Sequence, residues 1–272
     1  MGLVRVSETR AHRLNPLVVH VLWTRSLCVL AWHANTGGWE RLGVDSGAYS
    51  RELMANCEEV GAMGNASCAQ ILSKAFQRTE VEGSCTCLLA KYSATEGRLD
   101  VVSVGDCSML VVRDGKVVFK TEVQEHAWNQ PYQLSHPAFN LADTPEDALE
   151  FSFSVIPGDI VVLGSDGLWD NIWDTDVLEA IAASETMRGS FDGSDQWQNE
   201  TQELSQRLLE LAAAHSLDDA YASPFAQEQE GELRQSETFL TRLIDGMGLG
   251  KPRVAALGGK IDDVTVLCAI IG

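Results

Sequence analysis

Two periodicities divide the chain into a helical stretch followed by a long run of strands. Between Ser46 and Thr79 the apolar residues Leu53, Met54, Cys57, Val60 and Met63, then Ile71, Leu72 and Phe76, recur mostly at helical spacing. Gly64-Asn65 interrupts them, so the pattern predicts helix with a break at that point. From Ser84 the period shortens. Cys85–Tyr92, Leu99–Val104, Ser108–Val112 and Lys116–Lys120 read as strands, with turns at Glu96-Gly97 and Asp114-Gly115. Asp-Gly between β-branched runs signals a tight hairpin, because both central residues tolerate positive φ.

Further on, Phe151–Val155 and Asp159–Leu163 flank a Pro157-Gly158 turn, and a helix is expected from about Asp174 to Ala183. Val264–Ile271 is an unbroken apolar run, which predicts a strand buried on both faces. Residues 186–235 are rich in Gly, Ser, Gln, Glu and Asp and read as a loop-rich insertion. It carries one amphipathic helix near Glu203–Ala214, with 186–200 and 218–235 expected to be mobile. Successive hairpins mean antiparallel pairing, so the expected class is α+β: two stacked antiparallel sheets, a β-sandwich flanked by helices.

Composition narrows the partners. The 272 residues are 45% hydrophobic and 22% charged, enough to bury a sizeable core, and the net charge is -19. That balance disfavours nucleic acid and anionic membranes and favours divalent cations or basic segments of other proteins. No apolar run approaches the roughly 20 residues that span a bilayer. The seven cysteines are scattered, which reads as reduced, buried thiols of an intracellular protein. Cys85 and Cys87 are the only close pair, and core packing is the better reading because no second pair completes a metal site. Residues 1–33 hold Arg5, Arg10, Arg13 and Arg25 against the single acid Glu8, a pattern compatible with an organelle transit peptide or an alternative start.

The candidate chemistry lies in carboxylates at strand ends. Asp166 emerges from an apolar strand in Val161-Val162-Leu163-Gly164-Ser165-Asp166-Gly167, Asp262 and Asp263 precede the last strand, and Asp106 follows Gly105 at a turn. Such carboxylates, approached through glycines, suit hard divalent cations, although most strand-end Asp-Gly pairs are simply turns. Asp114-Gly115 is assigned wholly to a turn.

Their order and context are more specific. Leu163-Gly164-Ser165-Asp166-Gly167-Leu168-Trp169-Asp170 resembles the Ser-Asp-Gly-Leu-Trp-Asp motif of the metal-dependent type 2C (PPM) protein phosphatases, and Asp262-Asp263-Val264-Thr265-Val266 resembles their closing motif. Gly105-Asp106-Cys107 and Gly83-Ser84-Cys85-Thr86 are similar to two further elements. Gly37-Gly38-Trp39 with Asp45, and His126 through Leu134, resemble the short mitochondrial and plastid branch.

The resemblance spans 37–272 apart from the insertion. It implies a protein serine/threonine phosphatase using two, or three, Mg²⁺ or Mn²⁺ ions, with a metal-activated water as nucleophile and no catalytic side chain beyond it. Carried over by position, Asp166 and Asp262 are metal ligands, Asp106 helps hold a further ion, and Asp263 is not a ligand. The implied partner is a phosphorylated protein met by a monomer, in mitochondrion, plastid or cytoplasm. Residues 1–36 depart from the pattern. Ala34 stands where the family has its bridging Asp, Asn35 replaces the next Gly, and the upstream Gly-Glu-Asp element has no counterpart. The chain is therefore expected to lack the N-terminal strand element, to bind metal weakly and to be a poor catalyst, through either a truncated first segment or a pseudophosphatase role that binds phosphoproteins.

Overall fold

The computed structural model describes residues 4–11, 20–23, 27–32, 46–64, 66–136, 143–184, 196–236 and 256–272. Its strands are β1 (Val4–Ala11), β2 (His20–Trp23), β3 (Leu27–Trp32), β4 (Ser84–Ser93), β5 (Arg98–Val104), β6 (Ser108–Arg113) and β7 (Lys116–Lys120). After these come β8 (Glu125–Ala127), β9 (Gln130–Pro131), β10 (Leu134–Ser135), β11 (Leu149–Ser154), β12 (Ile160–Gly164) and β13 (Val264–Ile271). The helices are α1 (Ser46–Ala62), α2 (Cys68–Arg78), α3 (Asp166–Trp169), α4 (Asp174–Ala182), α5 (Gln196–His215) and α6 (Pro224–Ser236).

Two antiparallel sheets stack face to face. The first runs β1-β13-β12-β6-β7; the second runs β11-β5-β4-β3-β2, with β10 on β4. Side-chain alternation along the central strands builds three cores at once. Val161 and Leu163 of β12 with Leu267, Ala269 and Ile271 of β13 meet Leu88, Val101 and Met109 between the sheets. Ile160 and Val162 with Val264, Val266, Cys268 and Ile270 face the other way, onto Val177 and Ile181 of α4 and Leu204 and Leu208 of α5. Cys85, Cys87, Leu89, Val102 and Val104 of the second sheet cover Leu53, Cys57, Ile71 and Leu72 of α1 and α2. The continuous apolar run of β13 follows from its position: every residue of it is buried, because helices lie on one face and a sheet on the other. Cys85 and Cys87 share the helix-facing side as core residues, and with Cys57, Cys68, Cys107 and Cys268 they are free and buried.

The turns form as their residues dictate. Asp114 and Gly115 take φ of 50° and 70°, the pair a two-residue hairpin between twisted strands needs. At Gly64 the helix ends, and Ser67 restarts it with a capping box, accepting from the Gln70 N–H while its own N–H donates to the Gln70 side chain.

Two expectations are overturned. The N-terminal strand element is present. β1 pairs along its length with β13, from Val4 opposite Ile271 to Ala11 opposite Val264, while β2 and β3 form a hairpin that extends the second sheet beside β4. The physical reason is that β13 and β4 each leave a row of backbone N–H and C=O groups on the edge away from β12 and β5, and a paired strand satisfies it. The insertion is also not loop-rich where it is described. α5 runs 20 residues and α6 runs 13, covering most of 218–235. Its polar residues misled because α6 needs only a narrow buried stripe at Ala226 and a capped start, where the Ala226 N–H donates to Ser223 Oγ. The substitutions at Ala34 and Asn35, and the first part of the insertion, lie outside the described residues.

Candidate functional site

The three expected carboxylates come to one end of the sandwich. β12 ends at Gly164, and Asp166 begins the short helix α3, its side chain 9% exposed. Asp262 lies immediately before β13, the neighbour of β12, so the register that pairs Gly164 with Val266 also fixes the distance between the two acids. Ser165 ties the junction: its Oγ donates to the Asp263 carbonyl and accepts from the Thr265 N–H. The two strand ends touch at Gly167, where a Cβ would lie 2.3 Å from the Asp263 carbonyl oxygen. Glycine is required there. Asp106 sits in the β5–β6 turn behind Gly105, whose φ of 98° and contact with Thr86 and the Tyr132 carbonyl likewise exclude a side chain. Asp263 is buried.

At the centre of these acids stands Lys260. Its Nζ lies 2.8 Å from Asp166 Oδ2, 2.7 Å from Asp170 Oδ2, 3.5 Å from Asp262 Oδ2 and 3.0 Å from Asn129 Oδ1. It also lies 5.3 Å from the Phe225 ring centroid. Asn171 anchors the lysine backbone: its Nδ2 donates to the Lys260 carbonyl and its Oδ1 accepts from the Lys260 N–H. Burial alone would push the ammonium down, but Asp166 and Asp170 outweigh it and hold Lys260 firmly charged.

The acids carry the strain. Burial, then mutual repulsion, raises Asp262 to about 7; burial, partly offset by Lys260, raises Asp170 to about 7. Burial and the Asp166 charge push Asp106 well above the usual carboxylate range. Asp106 Oδ1 is buried and has no hydrogen-bond partner.

Asp170, Lys260, Asn129 and Asn171 escaped the reading of the sequence. Asp170 had a signal: it follows Asp166 by four residues, one helical turn, and so returns to the same side. Lys260 had none, since it sits in an aperiodic loop and a lone lysine is most often a solvated surface residue.

The arrangement is a helix-clad sandwich of two antiparallel sheets with aspartates gathered at one end, an oxygen-rich donor set of the kind hard divalent cations take. Comparison with known proteins specifies the family. The family model of stage II sporulation protein E matches residues 43–222. The chain is 35% identical to "Probable protein phosphatase 2C 1" of Oryza sativa subsp. japonica over 89% of its own length and 66% of the relative's. It is 31% identical to "Protein phosphatase PTC7 homolog fig" of Drosophila virilis over 86% of its length and 70% of the relative's. Among solved structures, the photosystem II phosphatase PBCP superposes with a TM-score of 0.79 at 28% identity, covering 99% of both chains. The catalytic domain of the serine/threonine phosphatase PstP, solved with two manganese ions, shares the fold at a TM-score of 0.57 and 18% identity, covering 100% of this chain and 99% of that one. The chain belongs to the metal-dependent type 2C protein phosphatases, a family of protein-serine/threonine hydrolases.

Proposed function

We propose that this chain removes phosphate from phosphoserine and phosphothreonine of a protein substrate, with Mg²⁺ or Mn²⁺ held by Asp166 and Asp262 and a further ion position supported by Asp106. The observation that carries the proposal is the excess of buried carboxylate at one point. Asp166, Asp170 and Asp262 converge on a single lysine, and neighbouring Asp106 has an Oδ1 with no hydrogen-bond partner. A hard, all-oxygen donor set with unspent negative charge fits a divalent cation. When bound, such ions supply a water of lowered pKa and neutralise charge on the phosphoryl group.

The chain's own residues prepare that chemistry. Gly167 and Gly105 let two strand ends and a turn bring the acids together, Ser165 fixes their spacing, and Asn171 holds the Lys260 backbone. Lys260 Nζ draws on the same oxygens a metal would take, and among the described residues no three His, Cys, Asp or Glu side chains are already grouped as metal ligands. A metal held by Asp166 and Asp262 would compete with the Lys260 ammonium for their oxygens.

A second reading, a catalytically impaired module that binds phosphoproteins, is favoured by Ala34 in place of the family's bridging Asp. One set of measurements separates the two. Wild type is expected to hydrolyse p-nitrophenyl phosphate slowly and only with Mn²⁺ or Mg²⁺. Ala34→Asp with Asn35→Gly should raise the rate, and Asp166→Asn should lower it by about two orders of magnitude in either background. A metal-independent rate untouched by Asp166→Asn would sink the phosphatase reading. Absence of hydrolysis even in the Ala34→Asp variant, with phosphopeptide binding intact, would establish the second. Action as a monomer in mitochondrion or plastid belongs to the same proposal, and the similar solved structure is of a photosystem II phosphatase. Among the described residues no helix is long and apolar enough to cross a membrane.

A further inference from the structure

The carboxylate cluster opens into a groove of about 720 Å³ whose far wall is built by α6, part of the insertion. Within it, the protein's own lysines are held in a repeated way. Lys120 Nζ lies 5.1 Å from the Trp169 ring centroid and 2.6 Å from Asp174. Lys260 Nζ lies over Phe225 and against Asp166 and Asp170. Each cation has an aromatic face on one side and a carboxylate on the other, the pairing that holds an ammonium or guanidinium most firmly.

The same two components, aromatic rings and carboxylates, recur in the walls of the groove, where Phe225 also meets Lys260. Trp128, from the β8–β9 turn, meets Phe225, from the first turn of α6, with ring centroids 5.1 Å apart at 33°. Glu125, on β8, and Glu228, on α6, both line the groove. Glu125 accepts one hydrogen bond, from the Asn129 N–H at 3.0 Å. Glu228 has no hydrogen bond or ion pair among the described residues. Burial first, then the charges of Glu228 and Glu232, raises Glu125; burial raises Glu228 against the pull of Lys120 and Lys260. Two like charges thus line one open groove with these rings, on separate elements, and the groove leads to the aspartates. Neither has a part in gathering the metal-ligating set.

We propose that Glu125, Glu228 and the Trp128–Phe225 pair form a specificity site for an arginine or lysine side chain flanking the phosphorylated residue of the substrate protein. The proposal rests on the phosphatase reading for the phosphorylated residue, but the basic-residue site stands on its own geometry. α6 gives the insertion its role: it carries half of this site, and the β8–β9 hairpin carries the other half. A peptide entering along the groove places its phosphate toward the aspartates and its basic side chain between the two glutamates, so charge complementarity sets its orientation.

Binding, not turnover, is the test, so that weak catalysis does not obscure it. Tryptophan fluorescence or calorimetry in Mn²⁺ compares a phosphothreonine peptide flanked by two arginines with the same peptide carrying glutamines there. Wild type should prefer the arginine peptide by roughly five- to tenfold, and more at low salt. Glu125→Gln with Glu228→Gln should bring the two affinities within about twofold of each other. Glu228→Lys should reverse the preference toward a glutamate-flanked peptide. Each ratio is taken within one variant, which removes the effect of any loss of folded protein. Equal affinity of wild type for both peptides, no measurable binding of either, or a preference that survives both substitutions would overturn the proposal. Preference for the arginine peptide without hydrolysis of p-nitrophenyl phosphate would support this site while counting against the catalytic reading.

Discussion

The two ends of strand β12 carry one aspartate each, and the protein treats them in opposite ways. Asp159, just before the strand, is fully buried and fully satisfied. Arg113 donates Nε to its Oδ1 at 2.8 Å and Nη2 to its Oδ2 at 2.7 Å, and the Ile156 N–H donates to the same Oδ2 at 2.9 Å. One acid meets one guanidinium in a bidentate fork, and nothing is left over. Asp166, just after the strand, shares a single lysine with Asp170 and Asp262, and neighbouring Asp106 keeps an unpartnered oxygen. The first end is a closed structural pair; the second holds more negative charge than the chain itself neutralises. A site that must accept a cation cannot be balanced in advance, so the surplus marks function and the balance marks structure.

The sharpest way to break this comparison is to unbalance the closed end. Arg113→Met leaves the Asp159 carboxylate buried without its partner and should cost on the order of 3 kcal/mol in urea unfolding. Asp106→Asn, at the open end, removes a repelled charge and should leave metal-free stability unchanged or higher. If both substitutions destabilise equally, the distinction between the ends fails.

Next in size is the contact that closes the open end. Gly167→Ala forces a Cβ onto the Asp263 carbonyl, a backbone atom that cannot rotate away, and should cost about 2 kcal/mol. It should also weaken Mn²⁺ binding, because Asp166 and Asp262 move apart. Unchanged calorimetric affinity in this variant would show that the approach of the two strand ends is not what sets the site.

Lys260→Met tests the competition for carboxylate oxygens. Without the ammonium, Mn²⁺ should bind about tenfold more tightly, a change of about 1.4 kcal/mol, while the thermal midpoint of the metal-free protein falls. Weaker Mn²⁺ binding would instead mean that Lys260 assists the metal.

The smallest effect belongs to Gly115→Ala. The added Cβ meets open space, so only the positive φ of the turn opposes it, at about 1 kcal/mol. A larger loss there than at Gly167 would contradict the view that close packing outweighs turn strain in this fold.

The ladder of hairpins from Ser84 to Lys120, the helices α1 and α2 with their break, and the buried run of β13 were legible because each has a local cause: a period, a turn dipeptide or a stretch apolar on every position. Asp106, Asp166 and Asp262 were legible for a different reason. Asp106 and Asp166 sit beside glycines, Gly105 and Gly167, whose close contacts exclude a side chain, and Asp262 sits in the motif that opens the last strand. The alternation in Val4-Arg5-Val6-Ser7 is a strand signal, but the strand it pairs with lies at the far end of the sequence. α6 was missed because its polar composition resembles a loop, and a helix lying on a surface needs only a thin apolar stripe.

By itself, then, the chain's order of apolar and polar residues determined the sandwich class and the hairpin turns, since these follow from interactions between near neighbours in sequence, while the resemblance of short motifs picked out Asp106, Asp166 and Asp262. Lys260 reaching Asp166 across 94 positions, Trp128 meeting Phe225, and β1 closing the free edge of β13 were decided only in the folded state. Such pairings depend on which strand ends and turns the two sheets bring to the same point, and no local period or propensity encodes that meeting.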